Sequence, residues 1–294
     1  MKNKENFSIF NISDADSARF RRIVIDVMTE ACAIPDDEYG GIGTLGEKQM
    51  HAAIKRFICP DTACHEIKID GSEGCTPPPV ADEADGAKKP RARKFVADIL
   101  KDGTIYEIQT GGFSPLKPKI QWILDNTSYN VVLIHPIAET KWVSLIDKES
   151  GKIGNRKKSP TKGKIQDIAS ELYFLSDFIS SPRFSLVILM MEAEQYKKNI
   201  AAKGKRPRYR KYELIPKSLL RAYILQSAED YNIFIPDTLP ERFTVKEYSK
   251  EAKIYGIDAY SIVKVLCSIG LLEQSGNIGR AAAYKKVQFF NEIT

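Results

Sequence analysis

Apolar positions early in the chain recur with the 3.6-residue period of a helix and then switch to the period of two that marks strands. Residues 14–32 place Phe20, Ile23, Val24 and Val27 on one stripe behind Ser13 or Asp14 as N-cap, and predict a helix. A glycine-rich turn at 39–43 precedes Thr44, with Glu47 three residues later as in a capping box. Met50, Ala53, Ile54, Phe57 and Ile58 continue a second helical stripe until Pro60 stops it. Residues 65–70 alternate as a strand, and 93–100 and 104–109 read as strands joined by Lys101-Asp102-Gly103. A helix over 115–126 turns Ile120, Trp122, Ile123 and Leu124 inward. Residues 129–137 are nearly all apolar, as in a strand buried on both faces, and 141–147 reads as its antiparallel neighbour. A helical stretch around 164–179 and a second buried strand at 184–191 follow. That order predicts an α/β core, a mixed sheet flanked by helices.

From Phe243 the pattern changes to a helix at 244–254, a Tyr255-Gly256 turn, a second helix at 258–269 and strands at 271–274 and 283–289 around a glycine-rich tip. Helix, turn, helix and hairpin predict a small winged helix-turn-helix. Its second helix would enter a DNA groove while Arg280, Lys285 and Lys286 meet phosphate. The expected organisation is an N-terminal helical extension at 1–43, a core at 44–200 with a flexible insertion at 71–91, a basic linker at 201–213 and the winged-helix domain at 214–294.

Composition adds a polyanion partner. The net charge of +6 is modest, but residues 152–164 hold six Lys/Arg and no acid, and 203–211 hold six more and again no acid. Such runs are expected as exposed loops that attract nucleic acid, through Arg156, Lys157, Lys158 and Lys162 in the first and Lys205, Arg206, Arg208 and Arg210 in the second. Five irregularly spaced cysteines predict no disulfide framework, and Cys59, Cys64, His65 and Cys75 match no common zinc spacing. Without a membrane-length apolar run or a signal peptide, the expected location is the cytoplasm.

The hairpin over 93–109 carries the chemistry. A two-residue Asp102-Gly103 turn of type I′ pairs Lys101 with Thr104, Leu100 with Ile105, Ile99 with Tyr106 and therefore Asp98 with Glu107. Two opposed carboxylates beside Val96, Leu100 and Ile105 repel each other on a half-buried face. A hard divalent cation such as Mg²⁺, or Mn²⁺ in its place, relieves that repulsion.

Asp98, then Glu107-Ile108-Gln109, with Glu47 on a preceding helix and a helix and buried strand behind, resembles the PD-(D/E)XK nuclease superfamily over about residues 44–147. The resemblance implies a restriction-endonuclease-like fold in which Asp98, Glu107 and the Ile108 carbonyl bind metal and Glu47 binds it through water. Ala97 stands where the family has proline, and Gln109 where it has lysine. Glutamine can orient a water but brings no charge, and Lys117 or Lys119, with Lys119 preferred, could return that charge from the next helix. The expected function is Mg²⁺-dependent hydrolysis of DNA. The alternatives are a non-catalytic DNA-binding protein on the same scaffold and an RNA-processing nuclease. Double-strand cleavage would imply a homodimer, for which no seam is visible. His51, four residues after Glu47, and His135 read first as structural histidines, and Thr110-Gly-Gly-Phe113 as a turn beside Gln109.

Overall fold

The computed structural model describes residues 8–32, 45–69, 95–147, 152–201 and 205–287. The chain forms β1 (Ser8–Asn11), α1 (Asp14–Cys32), α2 (Leu45–Ile58), β2 (His65–Ile69), β3 (Phe95–Lys101), β4 (Thr104–Ile108), α3 (Lys117–Asn126), β5 (Asn130–Ile146), β6 (Lys157–Lys158), β7 (Phe184–Asn199) and β8 (Tyr209–Leu225). One mixed sheet runs β1-β8-β7-β5-β4-β3-β2, with β6 also paired to β5. The β4–β5 and β5–β7 pairs are parallel and the rest antiparallel. The expected α/β class with a mixed sheet between helices is what the chain adopts.

Each sheet face carries its own core. On one, Phe20 and Val24 of α1 and Met50, Ala53 and Ile54 of α2 pack against Ile108, Ile134, Met191 and Leu219. On the other, Ile120 and Ile123 of α3 join Leu133, Leu186, Leu172 and Phe178. Burying these side chains at about 25 cal/mol per Å² is what holds the layers together.

Several expectations need correction. Residues 129–137 and 141–147 are not two antiparallel strands but one, β5, which stays parallel to β7 through a bulge between Ala138 and Thr140. The 164–179 stretch forms two 3₁₀ turns, Ile165–Ile168 and Glu171–Leu175, whose buried residues Ile165, Ile168, Leu172 and Leu175 fit a three-residue period. The segment at 201–213 is not a linker between domains, because β8 begins within it and returns through the large sheet. Nor is the N-terminus an extension. β1 pairs with β8, and the Ser17 hydroxyl donates to the Leu219 carbonyl. The Thr44 cap, the 39–43 turn and the 71–91 insertion lie outside the described residues.

Beyond β8 come a 3₁₀ turn (Ala228–Phe234), β9 (Phe243–Thr244), α4 (Val245–Ala252), α5 (Ile257–Ser268), β10 (Leu272–Ile278) and β11 (Ala281–Lys286). Thr244 caps α4 with Glu247 in a capping box, and a second sheet runs β10-β11-β9. This module shares a hydrophobic cluster with the large sheet. Its α5 lies on the Glu171–Leu175 turn, with the Lys264 ammonium 5.0 Å from the centre of the Tyr173 ring. Ala259, Ile262, Val263 and Leu266 of α5 pack into the core, while the face that carries Ile257, Tyr260 and Lys264 is exposed. Among the described residues no helix is long and apolar enough to cross a membrane.

Candidate functional site

Asp102 and Gly103 both take positive φ, 48° and 70°, as a type I′ turn demands. The β3–β4 register follows from that turn, pairing Lys101 with Thr104, Leu100 with Ile105 and Ile99 with Tyr106. There the ladder stops, one step before Asp98 and Glu107. Instead of continuing the pairing, the Ile108 N–H donates to Asp98 Oδ2 at 2.8 Å. On the other side of β3, Glu66 adopts φ of 53° and leaves a gap between the His65–Ile99 and Ile67–Ala97 pairs. Asp98 thus sits where three strands part, and the expected fourth cross-strand pair is replaced by a side-chain-to-backbone bond.

Asp98 Oδ2 also meets His51 Nε2 at 3.0 Å. Burial works to raise the Asp98 pKa, but the His51 contact, the Ile108 N–H and the Lys119 charge together hold it below the usual carboxylate range. Glu107 is treated differently. It is 3% exposed, and its Oε2 pairs with Lys119 Nζ at 2.6 Å. Lys119 Nζ also donates to the Val96 carbonyl at 2.5 Å. Glu107 Oε1 is buried and has no hydrogen-bond partner among the described residues. Burial pushes the Glu107 pKa up to about 7, with Lys119 opposing and the Asp98 charge adding to the rise.

Gln109 continues from β4 and its N–H donates to the Ile134 carbonyl at 2.9 Å. Its own carbonyl meets His135 Nδ1 at 2.6 Å, and its side-chain Nε2 donates to the Gly112 carbonyl at 2.5 Å. Burial lowers the pKa of His135, so the neutral ring with a proton on Nδ1 is the form that fits. Glu171 Oε2 accepts the Phe113 N–H at 2.6 Å and braces the 110–113 turn from below. A cleft of about 470 Å³ opens over these groups, lined by His51, Lys55, Asp98, Glu107, Ile108 and Gln109, with Ala52 and Thr110 at its margins.

The structure brings Asp98, Glu107, Ile108, Gln109 and Lys119 together. Lys117 points away and pairs with Asp177 at 2.7 Å. Glu47 lies on α2, its side chain outside the described residues. His51 is a member of the site rather than a structural residue elsewhere. Lys55, whose ammonium pairs with Glu66, was not anticipated. A signal existed: Glu47, His51 and Lys55 recur every four residues along one face of α2. Among the described residues no group of three or more His, Cys, Asp or Glu side chains is arranged to hold a metal ion.

The expected phosphate contacts fall into three places. Arg156, Lys157, Lys158 and Lys162 are exposed beside β5, Lys205, Arg206 and Arg208 are exposed between β7 and β8, and Arg210 is exposed at the start of β8. The first run is not a free loop, since Lys157 and Lys158 pair with Val143 and Trp142 of β5. In the C-terminal module Arg280 is exposed at the hairpin tip. Lys285 is engaged by Glu273 at 2.9 Å and Lys286 by the Pro236 carbonyl at 3.1 Å.

No solved structure matches the chain. An uncharacterized protein of Treponema pallidum (strain Nichols) is 24% identical over 252 residues, covering 83% of this chain and 87% of that relative. A family model described as a domain of unknown function, DUF8091, matches residues 81–226, the stretch that carries β3 to β8 together with Asp98, Glu107 and Gln109.

Proposed function

We propose that the protein is a cytoplasmic Mg²⁺-dependent endonuclease acting on DNA, of the PD-(D/E)XK type, with its hydrolytic site where β3 and β4 part. The observation that carries this reading is Glu107 Oε1, a buried carboxyl oxygen without a partner among the described residues, beside a second carboxylate in an open cleft. A buried polar oxygen left without a partner is costly unless something completes it. Mg²⁺ takes oxygen ligands and keeps several waters, so Asp98, Glu107 and the Ile108 carbonyl are a sufficient protein share. Mn²⁺ fits the same donors. When bound, such an ion polarises the scissile phosphate and lowers the pKa of the attacking water.

The chain's own residues then have distinct tasks. His51 and the Ile108 N–H orient Asp98 and keep it ionised. Lys119 holds Glu107 in place from α3 and supplies the positive charge that Gln109 lacks. Because the Gln109 amide N–H is held by Gly112, its carbonyl oxygen is the group left to accept from a water. Lys55, on the cleft wall, is placed to meet a phosphate. The α4–turn–α5–hairpin order supports a winged-helix reading of the C-terminal module. The exposed face of α5 with Lys264 and the exposed Arg280 tip are its candidates for phosphate contact.

One observation favours a second reading, a DNA-binding scaffold without catalysis: Lys119 already neutralises Glu107. Incubating the protein with plasmid and branched duplex DNA, with Mg²⁺ or EDTA, separates the two. Cleavage that needs the metal and disappears in Glu107→Ala supports the nuclease, and undiminished cleavage by that variant removes the site. Tight DNA binding with no cleavage and no calorimetric Mg²⁺ or Mn²⁺ binding supports the scaffold. Matched RNA substrates in the same assay test the remaining polymer.

A further inference from the structure

β5 has two edges. One is paired with β7 along its whole length. The other is taken by β4 from Asn130 to Ile134 and then left open where β4 ends at the site. The basic run fills that open edge from the far end back. The Gly154 N–H donates to the Leu145 carbonyl, Lys157 and Lys158 pair with Val143 and Trp142, Ser159 donates to Lys141, and Gly163 donates to Ala138. Gly163 lies so close to β5 that a Cβ there would stand 2.6 Å from the Ala138 carbonyl oxygen, so the approach admits no side chain. Two sequence-distant features, the acidic fork and the basic run, therefore follow one another along a single strand edge.

The dimensions matter. From Ile134, the partner of Ile108, β5 continues to Ile146, about 40 Å at the rise of a parallel strand. One turn of duplex DNA measures about 34–36 Å. At and beyond the end of β5, the described residues 197–201 and 205–211 add seven Lys/Arg and no acid. Two acids of this region are answered, Glu194 by Lys217 at 3.3 Å and Arg156 at 3.6 Å, and Glu139 by Arg221. Trp142, the aromatic on this edge, has the Arg156 guanidinium 4.0 Å above its ring. A base seeking to stack there finds the face covered, whereas a phosphate backbone meets exposed lysines.

We infer that the basic strand on the free edge of β5 is a phosphate track that lays about one turn of duplex DNA along the sheet and delivers it to the Asp98–Glu107 cleft. The inference rests on the nuclease reading for its endpoint, but the track itself is a binding surface and is measured without metal. The experiment is fluorescence anisotropy of a 30-base-pair duplex (about three turns) and of a single strand of equal length, in EDTA, across a salt series. Lys157→Glu/Lys158→Glu/Lys162→Glu is expected to weaken duplex binding at least about tenfold and to reduce the slope of log affinity against log salt by about 3, near 0.9 for each lost phosphate contact. Arg22→Glu, an exposed change on α1, is expected to bind as the parent does. Unchanged duplex affinity and slope in the triple variant, an equal loss in Arg22→Glu, or tighter binding of the single strand would each overturn the track. If the track variant loses binding while the parent cleaves nothing in Mg²⁺, the track stands and the nuclease falls.

Discussion

Glu107 and Glu194 are the same side chain on two strands flanking β5, and both are buried, at 3% and 8% exposure. Burial alone raises both pKa values, yet they end on opposite sides of the usual carboxylate range. Glu194 accepts from the Ser144 hydroxyl at 3.0 Å and faces both Lys217 and Arg156, and these outweigh its burial, so its pKa falls. Glu107 has one lysine, a neighbouring carboxylate and an oxygen with no partner, and its pKa rises to about 7. A completed ion cluster holds two strands and a basic edge together. An incomplete one, opening on a cleft, is where an external ligand has work to do.

The sharpest way to break this contrast is kinetic. At saturating DNA, Glu107→Ala is expected to lose at least about 10²-fold in cleavage rate, as when a preorganised charge is removed from a site, while Glu194→Ala stays near the parent. Equal losses would erase the distinction.

Next in size is stability. Lys119→Met leaves Glu107 buried without its cation and is expected to cost about 4 kcal/mol at pH 8 by urea unfolding. Adding Glu107→Gln should recover most of that loss, and no recovery would show that Lys119 acts through packing instead.

The pH dependence follows from the two shifts and has opposite sign at the two sites. Glu107 holds its proton more tightly in the native chain than in the unfolded one, where its value is near 4.5. Its contribution is therefore full below about pH 4.5 and is lost as pH rises through about 7, on the order of 3 kcal/mol. Glu194, with its pKa lowered, contributes above about pH 4.5 and loses that contribution as pH falls through its native value. Chemical unfolding between about pH 2 and 8 should show Glu107→Gln without the first trend and Glu194→Gln without the second. The smallest effect belongs to Lys117→Ala, whose exposed pair with Asp177 should change stability by no more than about 0.5 kcal/mol.

Much of the fork was legible locally. The Asp102-Gly103 turn set three cross-strand pairs, and the helical stripes of α1 and α2 matched their predicted spans. The pattern could not reveal that Asp98 would take the Ile108 N–H in place of a fourth pair, because a side chain competing with the ladder leaves no periodic trace. β8 opens with basic residues that read as a linker, and it contains Pro216. That proline pairs with Ala193 beside a register shift, the kind of place where a strand tolerates a missing N–H. β5 seemed to break at Glu139-Thr140 because polar residues interrupt its apolar run, but β7 turns polar at the same level through Glu192 and Glu194.

By itself the sequence determined the turn, the helix stripes, the α/β class and the two acids beside Gln109, all consequences of neighbours within a few residues. Only the tertiary structure decided that His51 would meet Asp98, that Lys119 rather than Lys117 would reach Glu107, and that a lysine run would become the edge strand beyond the site. Those meetings depend on parallel strands whose partners are separated by crossovers. Local propensity carries no information about which distant segment fills an open edge.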